Sequence, residues 1–374
     1  MRKVIVIMVA MVLSVCPVIA AQTVTDVIPV TDVIPATDVI SGLTGDPESK
    51  AKVDVAEMIF GHIGDSYGWH ITEWNGRHIV IPLPCIVRSS TGWHVFMSSK
   101  IEHGHEYEGL FLAQEGRYED KIVEIGPDGE FVRPFDISIT KNVASLMFTA
   151  ILLIALVLVT ARWYKRHDAS EEAPKGFTGL MEMMISMVND DLIKPSIGEK
   201  EYRKYAPYLL TAFFFIFLSN LLGIVPFFPG GANVTGNIAV TMVLALCTFV
   251  AINLFGNRHY WKEILWPDVP IFLKFPIPIM QTIEIFGMIS KPFSLMVRLF
   301  ANIMAGHAMI LGLVSVIFVT VKLGPVINGS MTAISMLFGV FMDCLELLVA
   351  FIQAYVFTML SAVFIGLSRQ EEHA

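Results

Sequence analysis

Charge is scarce in this chain. Of 374 residues only 26 are Lys or Arg and 34 Asp or Glu, 16% together, against 54% hydrophobic residues. With a mean hydropathy of +0.63, that scarcity excludes an ordinary water-soluble globule and reads as an integral membrane protein. The small excess of charge is acidic, so nothing points to a nucleic-acid partner. Cysteine is equally sparse: Cys16, Cys85, Cys247 and Cys344 make no disulfide framework. No Gly-x-x-x-x-Gly-Lys-Ser/Thr loop is present to cradle a nucleotide, and neither His-Glu-x-x-His nor Gly-x-Ser-x-Gly occurs, which weighs against an intramembrane hydrolase. No repeat of membrane segments is visible, which weighs against a secondary proton-coupled transporter built from two halves. That transporter, with its own substrate site, is the alternative.

What is present has a clear order. Arg2 and Lys3 precede an apolar run over 4–19 and the small residues Ala20 and Ala21, so residues 1–21 read as a signal peptide. Three copies of Thr-Asp-Val-Ile, starting at Thr25, Thr31 and Thr37, make residues 22–50 a low-complexity linker. Residues 51–140 form a small exported (periplasmic) region with β character. Its short apolar runs lie at 79–81, 93–96 and 121–125, with a Gly-Pro-Asp-Gly turn over 126–129. The histidines there, including His103 and His105, lack finger-like spacing and read as surface residues rather than a metal site.

Residues 141–374 are the membrane domain. Apolar runs predict spans at about 143–161, 206–228, 238–256, 278–321 and 331–367. Arg162, Lys165 and Arg166 follow the first, and Arg258, His259 and Lys262 the third, so those ends face the cytoplasm. The loop over 229–237 carries no charge, as an exported loop should. Between the first two spans, Phe177, Leu180, Met181, Met184, Ile185 and Val188 share one side of a helix over 177–193, an amphipathic segment expected on the cytoplasmic membrane surface. The expected fold is therefore an all-α polytopic membrane protein: five transmembrane helices, a long tilted C-terminal pair, an outside N-terminus and an inside C-terminus.

Within this apolar domain a few polar residues stand out. Ser294, Arg298, Asn302 and Gly306 recur every four residues, a narrow polar stripe on a helix, and His307 follows. A guanidinium in hydrocarbon costs roughly 3 kcal/mol or more. Arg298 is then either a snorkelling anchor beside Lys291 at the cytoplasmic edge or a functional cation deep in the membrane. Helix arithmetic favours depth. Arg298 and His307 are about 14 Å apart along one helix and Glu346 and Gln353 about 10 Å apart along the next. Antiparallel packing through a short loop at 323–330 sets Arg298 level with Gln353, and His307 with Glu346. Gln353 lies about 24 Å of helix from Arg369 and the cytoplasmic end.

Arginine keeps its proton, its pKa lying above about 12, so in an ion path it is a fixed positive charge. No acid of this chain is placed to pair with it, Glu284 being about 21 Å away along the same helix, so the partner is expected from another subunit. His307 and Glu346 titrate in or can be shifted toward the neutral range. They read either as a proton relay or as a structural bond between two helices. Asp343 sits one turn further out. Glu284 reads as an interfacial acid paired with Lys291 or Lys274. Asn302 and Gln353 position and hydrate, with Gln353 expected to hydrogen-bond the guanidinium.

The stretches Ser-Leu-Met-Val-Arg-Leu-Phe-Ala-Asn-Ile-Met-Ala-Gly-His over 294–307 and Leu-Glu-Leu-Leu-Val-Ala-Phe-Ile-Gln-Ala-Tyr-Val-Phe-Thr over 345–358 resemble subunit a of the F-type rotary ATP synthase. The resemblance runs from about residue 175 to 367 and takes in the Phe-rich segment over 213–226. Arg298, Asn302, His307, Glu346 and Gln353 each fill a place in that family's pattern: an arginine, an asparagine four later, a histidine or glutamate nine later, and an acid or histidine seven before a glutamine. The resemblance implies a non-catalytic stator subunit of the inner membrane, without cofactor. Its expected partners are a c-ring whose carboxylate faces Arg298 and the peripheral-stalk b subunits, with protons as the transported ion. It further implies uptake from outside past Asp343, Glu346 and His307 and release near Glu284 and Ser294. It covers none of residues 1–140.

Overall fold

The computed structural model describes residues 64–374 apart from 75–76, 115–117, 127–128, 169–171, 226–227, 255, 267–278 and 370–374. The expected signal peptide, the linker, the start of the 51–140 region and Lys274 lie outside the described residues.

The N-terminal part is a small β domain. Strands β1 (Gly68–Trp74) and β2 (Arg77–Pro82) form an antiparallel hairpin with a bulge between His70 and Thr72. Strand β3 (Pro84–Ser89) lies between β4 (Gly92–Met97) and β8 (Phe135–Asp136). A third sheet runs β5 (Leu110–Leu112), β6 (Ile122–Ile125), β7 (Phe131–Val132). Alternation along β3 buries Cys85 and Val87, which close on Tyr67, Phe96, Ile101, Leu110 and Ile122. The Tyr67 hydroxyl donates to Asp136 Oδ2 at 2.5 Å, and the Ser138 N–H donates to Asp136 Oδ1 at 2.8 Å. The buried Asp136 carboxylate is therefore hydrogen-bonded on both oxygens.

The remainder is helical. Helix α1 (Lys141–Arg166) is followed by α2 (Gly176–Ser186), which continues through a π-helical stretch, Met187–Ile193, into α3 (Lys194–Ile197). Then come α4 (Tyr202–Ile224), α5 (Ile238–Leu254), α6 (Arg258–Leu265), α7 (Ile279–Thr320) and α8 (Pro325–Arg369). Helices α1, α4, α7 and α8 are long and apolar enough to cross a membrane, and α5 is a shorter apolar helix. The helices α7 and α8 have 42 and 45 residues, about 63 and 68 Å of length against roughly 30 Å of hydrocarbon.

Small residues on α8 explain how the core closes. Ala350, Ala354 and Ala362 are fully buried, and their small side chains admit the aromatic face of α4. Phe351 meets Phe213 and Phe217 edge-on, at centroid distances of 6.0 and 5.9 Å. Hydroxyls tie the centre together: Tyr208 Oη and Thr248 Oγ1 are 2.9 Å apart, and Thr248 Oγ1 lies 3.4 Å from Ser361 Oγ. These bonds link α4, α5 and α8. At the far end Arg369 forks onto Glu201, its Nε donating to Oε2 at 2.6 Å. The Asn257 backbone and side-chain N–H groups cap the carbonyls of Ser368 and Arg369, each at 2.9 Å. The last turn of α8 is thereby satisfied and fixed in place.

Three details differ from the expectation. The loop expected over 323–330 is a single tight turn, Val321–Leu323 and Gly324, and α8 already starts at Pro325. Proline is pre-organised for the first helical turn, and Gly324 takes a φ of +103° that other residues avoid. Helix α4 stops at Ile224, four residues short of the expected end, where the Val225 and Gly231 N–H groups both turn back to the Leu222 carbonyl. The apolar side of the helix over 177–193 is divided between the protein and the outside. Met181 and Val188 are buried in the protein core with Met184 and Ile185 packed beside them, while Phe177, Leu180 and Met183 face outward.

Candidate functional site

Helices α7 and α8 run antiparallel from the turn at 321–324, and the pairing between them sets the site. His307 Nδ1 lies 2.6 Å from Glu346 Oε1, so these two residues stand level across the helix pair. Glu346 is 5% exposed and Gln353 6%. Gly306 makes the approach possible: a Cβ there would stand 3.1 Å from Glu346 Oε1 and 3.5 Å from Cδ. Neither Glu346 oxygen makes an aligned hydrogen bond among the described residues. The histidine contact is therefore a close approach of ring nitrogen to carboxylate oxygen that leaves acceptor capacity open.

That open capacity faces a narrow polar cleft. Ser219 and Asn220 of α4 and Asn233 and Thr235 of the α4–α5 connection line it together with His307 and Glu346. The connection is folded onto the helix end by its own polar residues. The Thr235 hydroxyl donates to Asn220 Oδ1 at 2.6 Å, and the Gly236 N–H donates to Asn233 Oδ1 at 2.9 Å. Asn233 Nδ2 and the Ser219 hydroxyl are buried without a partner among the described residues. Unpaired donors and unpaired carboxylate acceptors thus share one buried cleft. Sequence reasoning passed over Ser219, Asn233 and Thr235. The only available signal was uncharged polar residues in and beside an apolar run, which occur too commonly to single out.

Arg298 stands elsewhere. Its side chain is exposed on α7, and it makes no hydrogen bond or ion pair among the described residues. Ser294 and Asn302 are exposed on the same helix. Gly306 instead touches Glu346. The four do not form one narrow stripe. Each four-residue step overshoots a turn by about 40°, so from Ser294 to Gly306 the row sweeps about 120° around the helix. The expected hydrogen bond from Gln353 to the guanidinium is absent for the same reason: Gln353 is on the buried face and Arg298 on the outward one. Glu284 is half-buried on α7 and does not pair with Lys291, whose Nζ sits 5.6 Å over the Phe364 ring. Asp343 is exposed on α8, outside the cleft.

Comparison with known proteins adds the family. Residues 146–366 match the sequence profile of the family described as ATP synthase A chain, and residues 58–142 match a domain of unknown function, DUF8433. The chain is 41% identical over 285 residues to an ATP synthase subunit a of Chlorobium phaeobacteroides (strain DSM 266 / SMG 266 / 2430), covering 73% of this chain and 79% of that relative. It is 38% identical over 288 residues to an ATP synthase subunit a of Myxococcus xanthus (strain DK1622), covering 74% of this chain and 83% of the relative. An ATP synthase subunit a 2 of Prosthecochloris aestuarii (strain DSM 271 / SK 413) is 37% identical over 297 residues, covering 75% and 85%. With a profile matching more than half of its length and such relatives across most of it, this multi-pass membrane protein belongs to the ATP synthase subunit a family.

Proposed function

We propose that the chain is the proton-conducting, non-catalytic stator subunit of a rotary F-type ATP synthase. The observation that carries this reading is Arg298: a permanent cation exposed on the outward face of α7, flanked there by Ser294 and Asn302 and unpaired among the described residues. A charge so placed calls for an anion that comes and goes, such as the carboxylate of a turning c-ring. Arg298 would draw that carboxylate into its ionised form and, being unable to release its own proton, block direct leakage. Protons would reach the ring through a half-channel formed by the cleft, with Glu346 and His307 passing them on and Asn302 and Gln353 positioning water. They would leave through a second half-channel near Glu284 and Ser294. Asp343, outside the cleft, would act on the outer surface at most. Only a neutralised ring carboxyl can then face lipid cheaply.

The topology that suits this work has five spans, with α5 (Ile238–Leu254) as the third, in a bacterial inner membrane. Residues 1–21 would be a signal peptide, 22–50 a linker, 51–140 a periplasmic domain and 141–374 the membrane domain. Arg162, Lys165, Arg166 and Arg258 would hold their helix ends in the cytoplasm. Peripheral-stalk b subunits would be the further protein partner. The test is ATP-driven acidification of vesicles carrying the assembled complex, with and without sodium. Acidification that needs no sodium is the expected result; acidification that requires sodium would overturn the choice of proton.

A further inference from the structure

The β domain is fastened to the membrane helices at the place where the cleft is walled by a loop. Trp69, at the start of β1, meets Phe228 edge-to-face, with ring centroids 5.1 Å apart and planes at 68°. Trp69 is 5% exposed and belongs to the buried apolar cluster of the membrane helices, the cluster that also holds Ala232 and Val234. Those two residues line the cleft beside Glu346. The lead-in to β1 is fixed as well. The Lys141 N–H donates to the Ser66 carbonyl at 2.8 Å, and the Asn142 N–H donates to Asp65 Oδ1 at 3.0 Å, which satisfies orphan donors at the start of α1. The other walls of the cleft come from helices. The connection over 228–235 is irregular backbone, held by side-chain bonds and apolar contacts rather than by a helical ladder.

We infer that Trp69 is a positioning residue of the proton path: through Phe228 the β domain holds the loop over 228–235 and thereby sets the width of the cleft leading to Glu346 and His307. This rests on the function proposed for that cleft. It gives the DUF8433 region of this chain a task, steadying the outer mouth of the channel, and it explains why a tryptophan of a β strand is buried with membrane residues rather than with the core of its own domain.

The test reads the loop directly. In the assembled complex, with the four native cysteines replaced by alanine and Ala232→Cys introduced, a small charged thiosulfonate is applied from the outer face. Trp69→Ala should raise the labelling rate about tenfold, the scale of one lost aromatic pair. Trp69→Phe should return it to within about twofold of the parent, because a ring is restored at the contact. A rate unchanged by Trp69→Ala in an assembled complex overturns the inference. If Trp69→Ala prevents assembly, Phe228→Ala carries the test, since Phe228 is 47% exposed and its loss leaves the cluster intact; an unchanged rate there is equally fatal. Labelling reports the loop whether or not protons use the cleft. Its failure therefore sinks this inference alone, while pumping that survives Arg298→Ala sinks the proposed function, and with it a role for Trp69 in a proton path, but leaves its hold on the loop to be read by labelling.

Discussion

His307 Nδ1 and Glu346 Oε1 face each other across 2.6 Å between two antiparallel helices, one group basic and one acidic. If this pair passes protons, its members should be exchangeable in place but not dispensable. Glu346→Gln keeps the shape and loses the titration, so ATP-driven pumping should fall about hundredfold with assembly intact. His307→Glu alone sets two carboxylates together and should be similarly poor. The double exchange, His307→Glu with Glu346→His, restores one acid and one base and should recover at least about a tenth of the parent rate. A double exchange no better than either single variant would mark the pair as structural.

Gly366 of α8 lies under the end of α3. A Cβ there would clash with the Ser196 carbonyl oxygen and stand 3.0 Å from its carbonyl carbon. Because backbone cannot move aside cheaply, Gly366→Ala should destabilise the protein by about 1–3 kcal/mol and lower the yield of assembled complex. Gly329→Ala, near the other end of α8 with nothing within 4 Å of its Cβ, should leave the yield unchanged. Equal yields for the two would remove the packing argument.

Much of this arrangement was legible in the sequence. Long apolar runs gave the helices, because few other structures satisfy a backbone in lipid. The level pairing of His307 with Glu346 followed from a rise of 1.5 Å per residue along helices sharing a short turn. What could not be read were directions around the helix axis. A row at four-residue spacing rotates as it climbs, so Arg298 ended on the outer face and Gln353 on the inner. The cleft also draws Asn233 and Thr235 from an irregular connection whose fold depends on the end of α4. No periodicity announces such residues. The burial of Trp69 among membrane helices left no trace in the β-like pattern of its neighbours.

The Arg369 guanidinium holds the Glu201 carboxyl below the usual carboxylate range. A lowered folded value means the unfolded state takes up a proton more readily. The stabilisation is therefore present above about pH 4.5 and fades as the pH falls through the lowered value. Glu201 is 38% exposed, so solvent limits the effect to below about 1 kcal/mol. Thermal unfolding in detergent should give Glu201→Gln a Tm about 2 °C below the parent at pH 7 and a gap that shrinks as the pH falls below about 4.5. A gap that persists in acid would mean the pair acts through packing.

Cys85 is buried in the β domain, and burial, with the Asp136 carboxylate adding to it, pushes its thiol up to about 12. At pH 8 only about one such thiol in ten thousand is thiolate. A chromogenic disulfide reagent should therefore leave Cys85 untouched in the native complex and react at once after unfolding in guanidinium. Rapid native-state reaction would show that this core opens.

The most direct measurement concerns Arg298. The assembled complex carrying Arg298→Ala, reconstituted into vesicles, should still co-purify with a ring of small membrane subunits and should show no ATP-driven acidification, a loss of at least about hundredfold. Acidification at the parent rate by that variant, with the ring in place, would contradict a role for this cation in coupling the ring to proton flow.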